Sequence, residues 1–270
     1  MKVLWLSQNL PFPPKTGVLQ RNYNLIREAS RFAEVHLVAI VKEDILPTFD
    51  EAVARRELEK LCASVTPVHL PIERSRALFL KVVVQSLFTA TPFTANWTAS
   101  SALTEALTGA ASRGPYDMVF FDTISLAPYR GLLQQWPIAL NHHNIESHLF
   151  DRRIAYEGNA LKRLYFGMEA RKLRRYEAAQ AGRFDTNIVV SRLDGERLRD
   201  ICPGAVTDVV ANGVDTAYFD RRPDAAPIEP GHLIMVSGMN WFPNRDAVLQ
   251  MAGTMWPRVT AALPDARLTI

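Results

Sequence analysis

Polar and titratable side chains crowd the run His142-His143-Asn144-Ile145-Glu146-Ser147, and His148 follows directly. A neutral imidazole can donate a hydrogen bond to a substrate hydroxyl or phosphate. A glutamate nearby can orient a histidine or cap a helix. His143 is therefore the candidate catalytic residue, with Asn144 and Glu146 as candidate substrate contacts. Capping of the helix that follows is the plainer use of the same residues. Metal binding is the weaker reading, because adjacent histidines at a strand end point to opposite sides. No Cys/Asp set completes them.

Other candidates are spread along the chain. Pro11-Phe12-Pro13-Pro14-Lys15-Thr16-Gly17 leads into a helical pattern, with Arg21 one turn further on. Backbone N–H groups at a helix start can hold a phosphate or a sugar hydroxyl, and Gly17 would let a ligand approach closely. A structural proline loop explains the same residues. The loop matches neither G-x-x-x-x-G-K-[ST] nor G-x-G-x-x-G, which argues against a P-loop enzyme and a standard NAD site. Asp122 ends an apolar run and can cap a helix or line a pocket, and Ser191 offers the same two readings. Asn212-Gly213 closes a β-branched run and is a turn signal, since both residues tolerate positive φ. Gly238 follows another apolar run. Residues 160–178 carry Lys162, Arg163, Arg171, Lys172, Arg174 and Arg175 among apolar residues at helical spacing. Such a helix can sit against an anionic membrane or a phosphate-bearing acceptor, or can simply be a solvated face.

These residues need a scaffold, and apolar periodicity supplies one. Strands are expected at 2–7, 35–41, 65–70, 117–121, 137–141, 186–190 and 206–210. Helices are expected at 18–32, with Leu19, Tyr23, Ile26 and Ala29 inward, and at 50–62, 74–88, 96–111, 126–135 and 193–201. A long charged helical region, 146–181, is broken near Gly158. This alternation predicts an α/β fold with a doubly wound, Rossmann-like parallel sheet. The proline-rich stretch 220–231 reads as a linker. A second β-α-β unit follows, with a buried strand at 232–237, a helix capped by Asn244 and running to about 262, and a strand from 266. The expected domains are 1–210, a hinge and linker at 211–231, and an incomplete start of a second α/β domain at 232–270.

Composition excludes several classes. The net charge of +3 gives no global field for nucleic acid. Cys62 and Cys202 are in no metal-ligand spacing and read as reduced thiols. No apolar stretch reaches the ~18 residues of a membrane span, and the N-terminus has no signal-peptide core. A cytoplasmic protein is the expectation, with a peripheral position at the inner face of a membrane left open by the basic helix.

Taken in order, the motifs resemble glycosyltransferase family 4, also called glycosyl transferase group 1, of GT-B architecture. The loop PFPPKTG with QRNYNL is similar to that family's first loop and helix. HHNIES, MEARKLRRYE and IVVS follow in the family's order. ANGVDTAYF resembles its interdomain turn. SGMNWFPNRDAVLQM with MWPRV is similar to the opening of its C-terminal domain, closest to exopolysaccharide-type sugar transferases. The resemblance implies two Rossmann-like domains facing a cleft, with the acceptor on the N-terminal one and a nucleotide-sugar donor on the other. It places Gly17 near the donor diphosphate or acceptor, His143 beside the sugar or acceptor, Asn212 and Gly213 at the hinge, and Gly238 at the donor-side loop.

The implied activity is transfer of a hexosyl group from a nucleotide sugar to a glycan or lipid-linked acceptor in surface polysaccharide synthesis. Retention of anomeric configuration and no cofactor or bound metal are implied with it. There are two departures. The family's first loop carries two adjacent glycines, whereas Thr16-Gly17 offers one. The basic residues and paired glutamates that grip the donor would fall beyond Ile270, so these residues alone are expected to bind sugar nucleotide poorly and to be inactive. A non-catalytic GT-B-like remnant that binds glycan or a partner is the alternative expectation.

Overall fold

The computed structural model describes residues 1–42, 49–217, 219–220, 229–239 and 242–270. The linker expected at 220–231 and the Gly238-Met239-Asn240 turn lie partly outside them. The chain divides into two compact units, Met1–Asn212 and Gly213–Ile270.

In the first unit seven parallel strands form one sheet in the order β3-β2-β1-β4-β5-β6-β7. They are β1 (Lys2–Ser7), β2 (Glu34–Val41), β3 (Ser64–His69), β4 (Met118–Phe121), β5 (Ile138–Asn141), β6 (Thr186–Val189) and β7 (Thr207–Val209). The strand order reverses direction between β1 and β4, where Val3 pairs with Met118 and Leu6 with Phe121. Side chains alternate across a strand, so a sheet covered on both faces must bury both sets. Leu4, Leu6, Val119, Phe121, Ile138 and Leu140 enter one core. Val3, Trp5, Phe120 and Ala139 enter the other. There Trp5 stacks on Phe120 at 3.8 Å between ring centroids.

The helices are α1 (Gly17–Ala29), α2 (Glu51–Glu59), α3 (Arg76–Phe88), α4 (Phe93–Thr98), α5 (Ser101–Ala111), α6 (Glu146–Tyr156), α7 (Ala160–Gln180) and α8 (Arg192–Ile201). Side-chain oxygens of Thr16, Asp50, Ser75, Asn159 and Ser191 cap α1, α2, α3, α7 and α8. Three local expectations need correction. The single helix expected at 96–111 is broken after α4, because the Tyr129 hydroxyl donates to Thr98 O at 2.8 Å and accepts from Ser100 N at 2.9 Å. Those are backbone groups that a continuous helix would have used itself. The helix expected at 126–135 is a 3₁₀ segment, Ile124–Leu132, with Pro128 inside it. Proline has no N–H for an α-helical bond. Finally, α1 buries Arg21 and Asn22 together with Leu19 and Ile26, so its inner face is partly polar.

The second unit pairs β8 (His232–Ile234) with β9 (Arg267–Thr269) in parallel. Between them run α9 (Phe242–Gln250), a π-helical turn (Met251–Met255) and α10 (Trp256–Ala262). Pro257 near the start of α10 cannot donate to the carbonyl four residues back, which accounts for the widened turn before it. β8 is exposed along its length, against the expectation of a buried strand. Asn244 is not a cap either. The helix starts two residues earlier, and Asn244 Nδ2 donates back to Gly238 O at 3.0 Å. Nor is Asn212-Gly213 a positive-φ turn, since Gly231 is the one described residue with positive φ.

Candidate functional site

The carboxyl ends of β1, β4 and β5 meet where the strand order reverses, the usual place for a ligand in an open α/β sheet. Ser7 closes β1, Asp122 follows β4, and Asn141 closes β5 with His142 and His143 beyond it. Parallel strands in register bring residues far apart in sequence to one edge. His143 Nε2 lies 2.8 Å from Asp122 Oδ1. The Ser7 hydroxyl is 3.5 Å from Asp122 Oδ2, and Asn141 Nδ2 donates to Asp122 O at 3.2 Å. Asn22 Nδ2 donates to Ser7 Oγ at 2.5 Å, and Asn22 Oδ1 accepts from Trp5 Nε1 at 2.9 Å.

Arg21 reaches into this cluster from the second turn of α1. It is only 8% exposed. Nη2 donates to Asn141 Oδ1 at 3.1 Å and Nη1 to Asn212 Oδ1 at 2.9 Å. Its Nε is buried with no partner. Both bonds end on neutral amides, and the carboxylate nearest in effect, Asp122, is bonded to His143. Burial accordingly pulls the Arg21 pKa down, and the Asp122 charge opposes the fall. A buried guanidinium that is only partly satisfied is costly, and a bound anion would relieve that cost.

The two histidines part company. His142 is buried and bonds Asn187 Oδ1 at 3.0 Å, and burial takes its pKa down to about 4. It is a neutral structural residue. His143 shifts the other way. Burial alone would lower its pKa, but the charge of Asp122 and its hydrogen bond together leave it raised, against a smaller opposing push from Arg21. With Nε2 given to Asp122, Nδ1 is the nitrogen left for a ligand.

Glu146 opens α6, half-buried, and makes no hydrogen bond through its carboxylate among the described residues. Burial raises its pKa, and the His143 charge counters that. Asn144 is exposed beside it. Glu177 on α7 fastens the start of α6, accepting from Ser147 N at 3.2 Å and from Ser147 Oγ at 2.5 Å. It thereby holds the loop that carries His143.

Of the residues expected to contact substrate, the fold brings together Arg21, Asp122, His143 and Asn212, with Glu146 close enough to feel the His143 charge. Gly17 is the exposed first residue of α1, and a Cβ there would meet nothing within 4 Å. Ser191 is engaged in capping: its Oγ accepts from Asp194 N at 3.1 Å and donates to Asp194 Oδ2 at 2.6 Å. Gly213 and Gly238 belong to the second unit, with open space around both. Sequence reasoning passed over Ser7, Asn22 and Asn141. An asparagine closing the apolar strand Ile-Ala-Leu-Asn, and another interrupting the inner face of α1, were the available signals. Among the described residues no group of three or more His, Cys, Asp or Glu side chains is arranged to hold a metal ion.

No protein-family model matches the chain, and no curated protein does. Solved structures do. The glycotransferase of kitacinnamycin aligns with 99% of this chain and 64% of its own, at 15% identity and a TM-score of 0.46. Phytolacca americana UGT2, complexed with UDP-2fluoro-glucose and pterostilbene, aligns with 87% of this chain and 59% of its own, at 12% identity and a TM-score of 0.46. A Listeria monocytogenes protein assigned as a UDP-N-acetylglucosamine 2-epimerase aligns with 74% and 42%, at 10% identity and a TM-score of 0.36. The chain thus spans less than two thirds of the length of each.

Proposed function

We propose that these residues form the acceptor-binding part of a glycosyltransferase of family 4 type, which moves a hexosyl group from a nucleotide sugar to a glycan or lipid-linked acceptor in surface polysaccharide synthesis. The observation that carries the reading is the buried, incompletely bonded Arg21 set among Asn141, Asp122 and His143 at the sheet's point of reversal. Arg21 matches a phosphate or diphosphate oxygen, in the acceptor or in the leaving group. His143 presents Nδ1 to a sugar hydroxyl while Asp122 fixes its ring. Neutral, it accepts that hydroxyl's proton; charged, it donates to an oxygen carrying developing charge. The motif order from PFPPKTG to MWPRV, with no glycine-rich dinucleotide fingerprint, favours transfer over redox chemistry.

In this reading residues 1–210 are the acceptor domain, 211–231 the hinge, which holds Asn212 and Gly213, and 232–270 the opening of the donor domain, with Gly238 in its first loop. The donor is a co-substrate, transfer retains configuration, and no cofactor or metal takes part. Residues 1–270 alone are expected to be inactive, so the test joins them to a complete donor domain, supplies nucleotide hexoses with free and prenyl-diphosphate-linked oligosaccharides, and reads a hexose mass gain in the acceptor. Acceptor binding is read separately by ligand-observed NMR. His143→Ala should cut transfer about 100-fold or more, and Arg21→Met should weaken binding of phosphorylated acceptors alone. Glycan binding without transfer assigns a non-catalytic role, and neither binding nor transfer refutes the proposal.

A further inference from the structure

Helix α3 is built the wrong way round for a water-facing element. Its sequence, RALFLKVVVQSLF, is apolar almost all round, which ordinarily means a core or membrane setting. Yet its one buried residue is Ser86. Leu78, Phe79, Leu80, Val84, Leu87 and Phe88 are all exposed, Leu80 by 62% and Phe88 by 85%. The helix is tied down by an edge-on contact of Phe79 with Phe93 at 5.8 Å between ring centroids, and otherwise through polar atoms. Ser86 O accepts from Lys172 Nζ, and Ser86 Oγ accepts from Asn96 Nδ2 at 2.9 Å. The α4 start beside it is held by Glu169 Oε2, which accepts from Phe93 N at 2.8 Å. Both anchors, Glu169 and Lys172, belong to α7. Towards its N-terminus α7 exposes two further leucines, Leu161 (78%) and Leu164 (70%).

Charge identifies what fits this surface. No Asp or Glu occurs between Glu73 and Glu105, whereas Arg74, Arg76 and Lys81 do. On α7 no Asp or Glu occurs between Glu157 and Glu169, and Lys162 and Arg163 sit between the two leucines. An apolar face with basic side chains only is poorly suited to self-association, because a two-fold contact sets the same patch against itself and faces cation with cation. An anionic bilayer satisfies both properties at once.

We infer that α3, with the first turns of α7, is a membrane-docking surface that lies in the headgroup region of an anionic bilayer. At 13 residues α3 is too short to cross one, and no described helix is long and apolar enough to do so. The contact is peripheral, and it stands whatever reaction the site at the sheet's point of reversal performs. The basic character of α7 alone would not make such a site, since its Lys172 and Leu173 are buried.

Vesicle co-sedimentation tests this. Phosphatidylcholine vesicles are compared with phosphatidylcholine–phosphatidylglycerol vesicles, for the wild type, Leu80→Glu/Phe88→Glu, and Lys81→Gln. All three positions are exposed, so circular dichroism should report an unchanged fold. The wild type should bind the anionic vesicles at least tenfold more tightly than the neutral ones, and less so at high salt. The double variant should lose at least tenfold, and Lys81→Gln about fivefold. Failure of the wild type to sediment, or equal binding by the double variant, overturns the inference. So does a wild-type dimer in light scattering that the double variant converts to monomer without any vesicle binding, which would assign the face to a second copy of the chain.

Discussion

Removing the charge of Asp122 while keeping its shape, as Asp122→Asn, tests how the candidate site holds His143. Asp122 is 1% exposed and the His143 side chain 11%, so water screens the pair little. Below its raised pKa, His143 is a cation bonded to a carboxylate at 2.8 Å. In the variant it would face a neutral amide, with burial and Arg21 both opposing its charge. The imidazole pKa should therefore fall below the usual 6.5. Losing one partner of a buried pair costs about 3–5 kcal/mol, and the amide recovers about 1 kcal/mol of hydrogen bonding. Roughly 2–4 kcal/mol is then expected at pH 6. For a unit of this size each kcal/mol moves Tm by about 2–4 °C.

The pH dependence has a definite sign. A folded pKa raised above the unfolded one gives stability that is complete below the unfolded pKa and fades as pH rises through the folded one. The penalty of Asp122→Asn should thus shrink from pH 6 to pH 9, to about 1–2 kcal/mol. Thermal unfolding at the two pH values measures the penalty, and NMR of ring-labelled histidine follows the titration. An unchanged His143 titration in the variant, or a penalty that grows with pH, refutes this account of the pair.

Gly17→Ala separates ligand from fold. No atom would crowd the new Cβ and alanine favours a helix start, so Tm should hold or rise slightly while acceptor binding weakens; unchanged binding removes Gly17 from the site. Glu177→Gln probes the α6 anchor. Burial raises the Glu177 pKa from 4.5 to about 7, so the wild type loses stability as pH climbs from about 4.5 through 7, by a few kcal/mol on an order-of-magnitude basis. The variant should lack the Glu177 share of that loss, and denaturant midpoints that fall in parallel for the two proteins between pH 5 and pH 8 would show this wrong. Gly114→Ala places a Cβ 2.6 Å from Trp136 Cζ2 and 3.2 Å from Ala111 O, and should cost about 1–3 kcal/mol in chemical denaturation. An unaltered midpoint would mean that Trp136 moves aside freely.

Periodicity made the seven-stranded scaffold readable, because burial on both faces leaves nearly continuous apolar runs such as 35–41. It also marked the break between α6 and α7 near Gly158. What escaped was decided by distant partners. Nothing near residue 99 announces that the Tyr129 hydroxyl will split a helix there. At the site, residue type singled out Asp122, His143 and Arg21. Ser7, Asn22 and Asn141 are ordinary polar residues until the parallel register sets them side by side. Asn212-Gly213 misled because local chemistry permits a positive-φ turn without requiring one.

Strand order also bears on how the protein emerges from a ribosome. β1 lies inside the sheet, third of its seven strands, and its second neighbour, β4, pairs Val3 with Met118. At about 5–20 residues per second, the residues between them take some 6–23 s to be made. Throughout that interval the β1 edge that β4 will cover, bearing Trp5 and Leu6, has no partner. Nascent chains stopped before residue 118 should therefore recruit a holding chaperone, and those extended past β5 should release it.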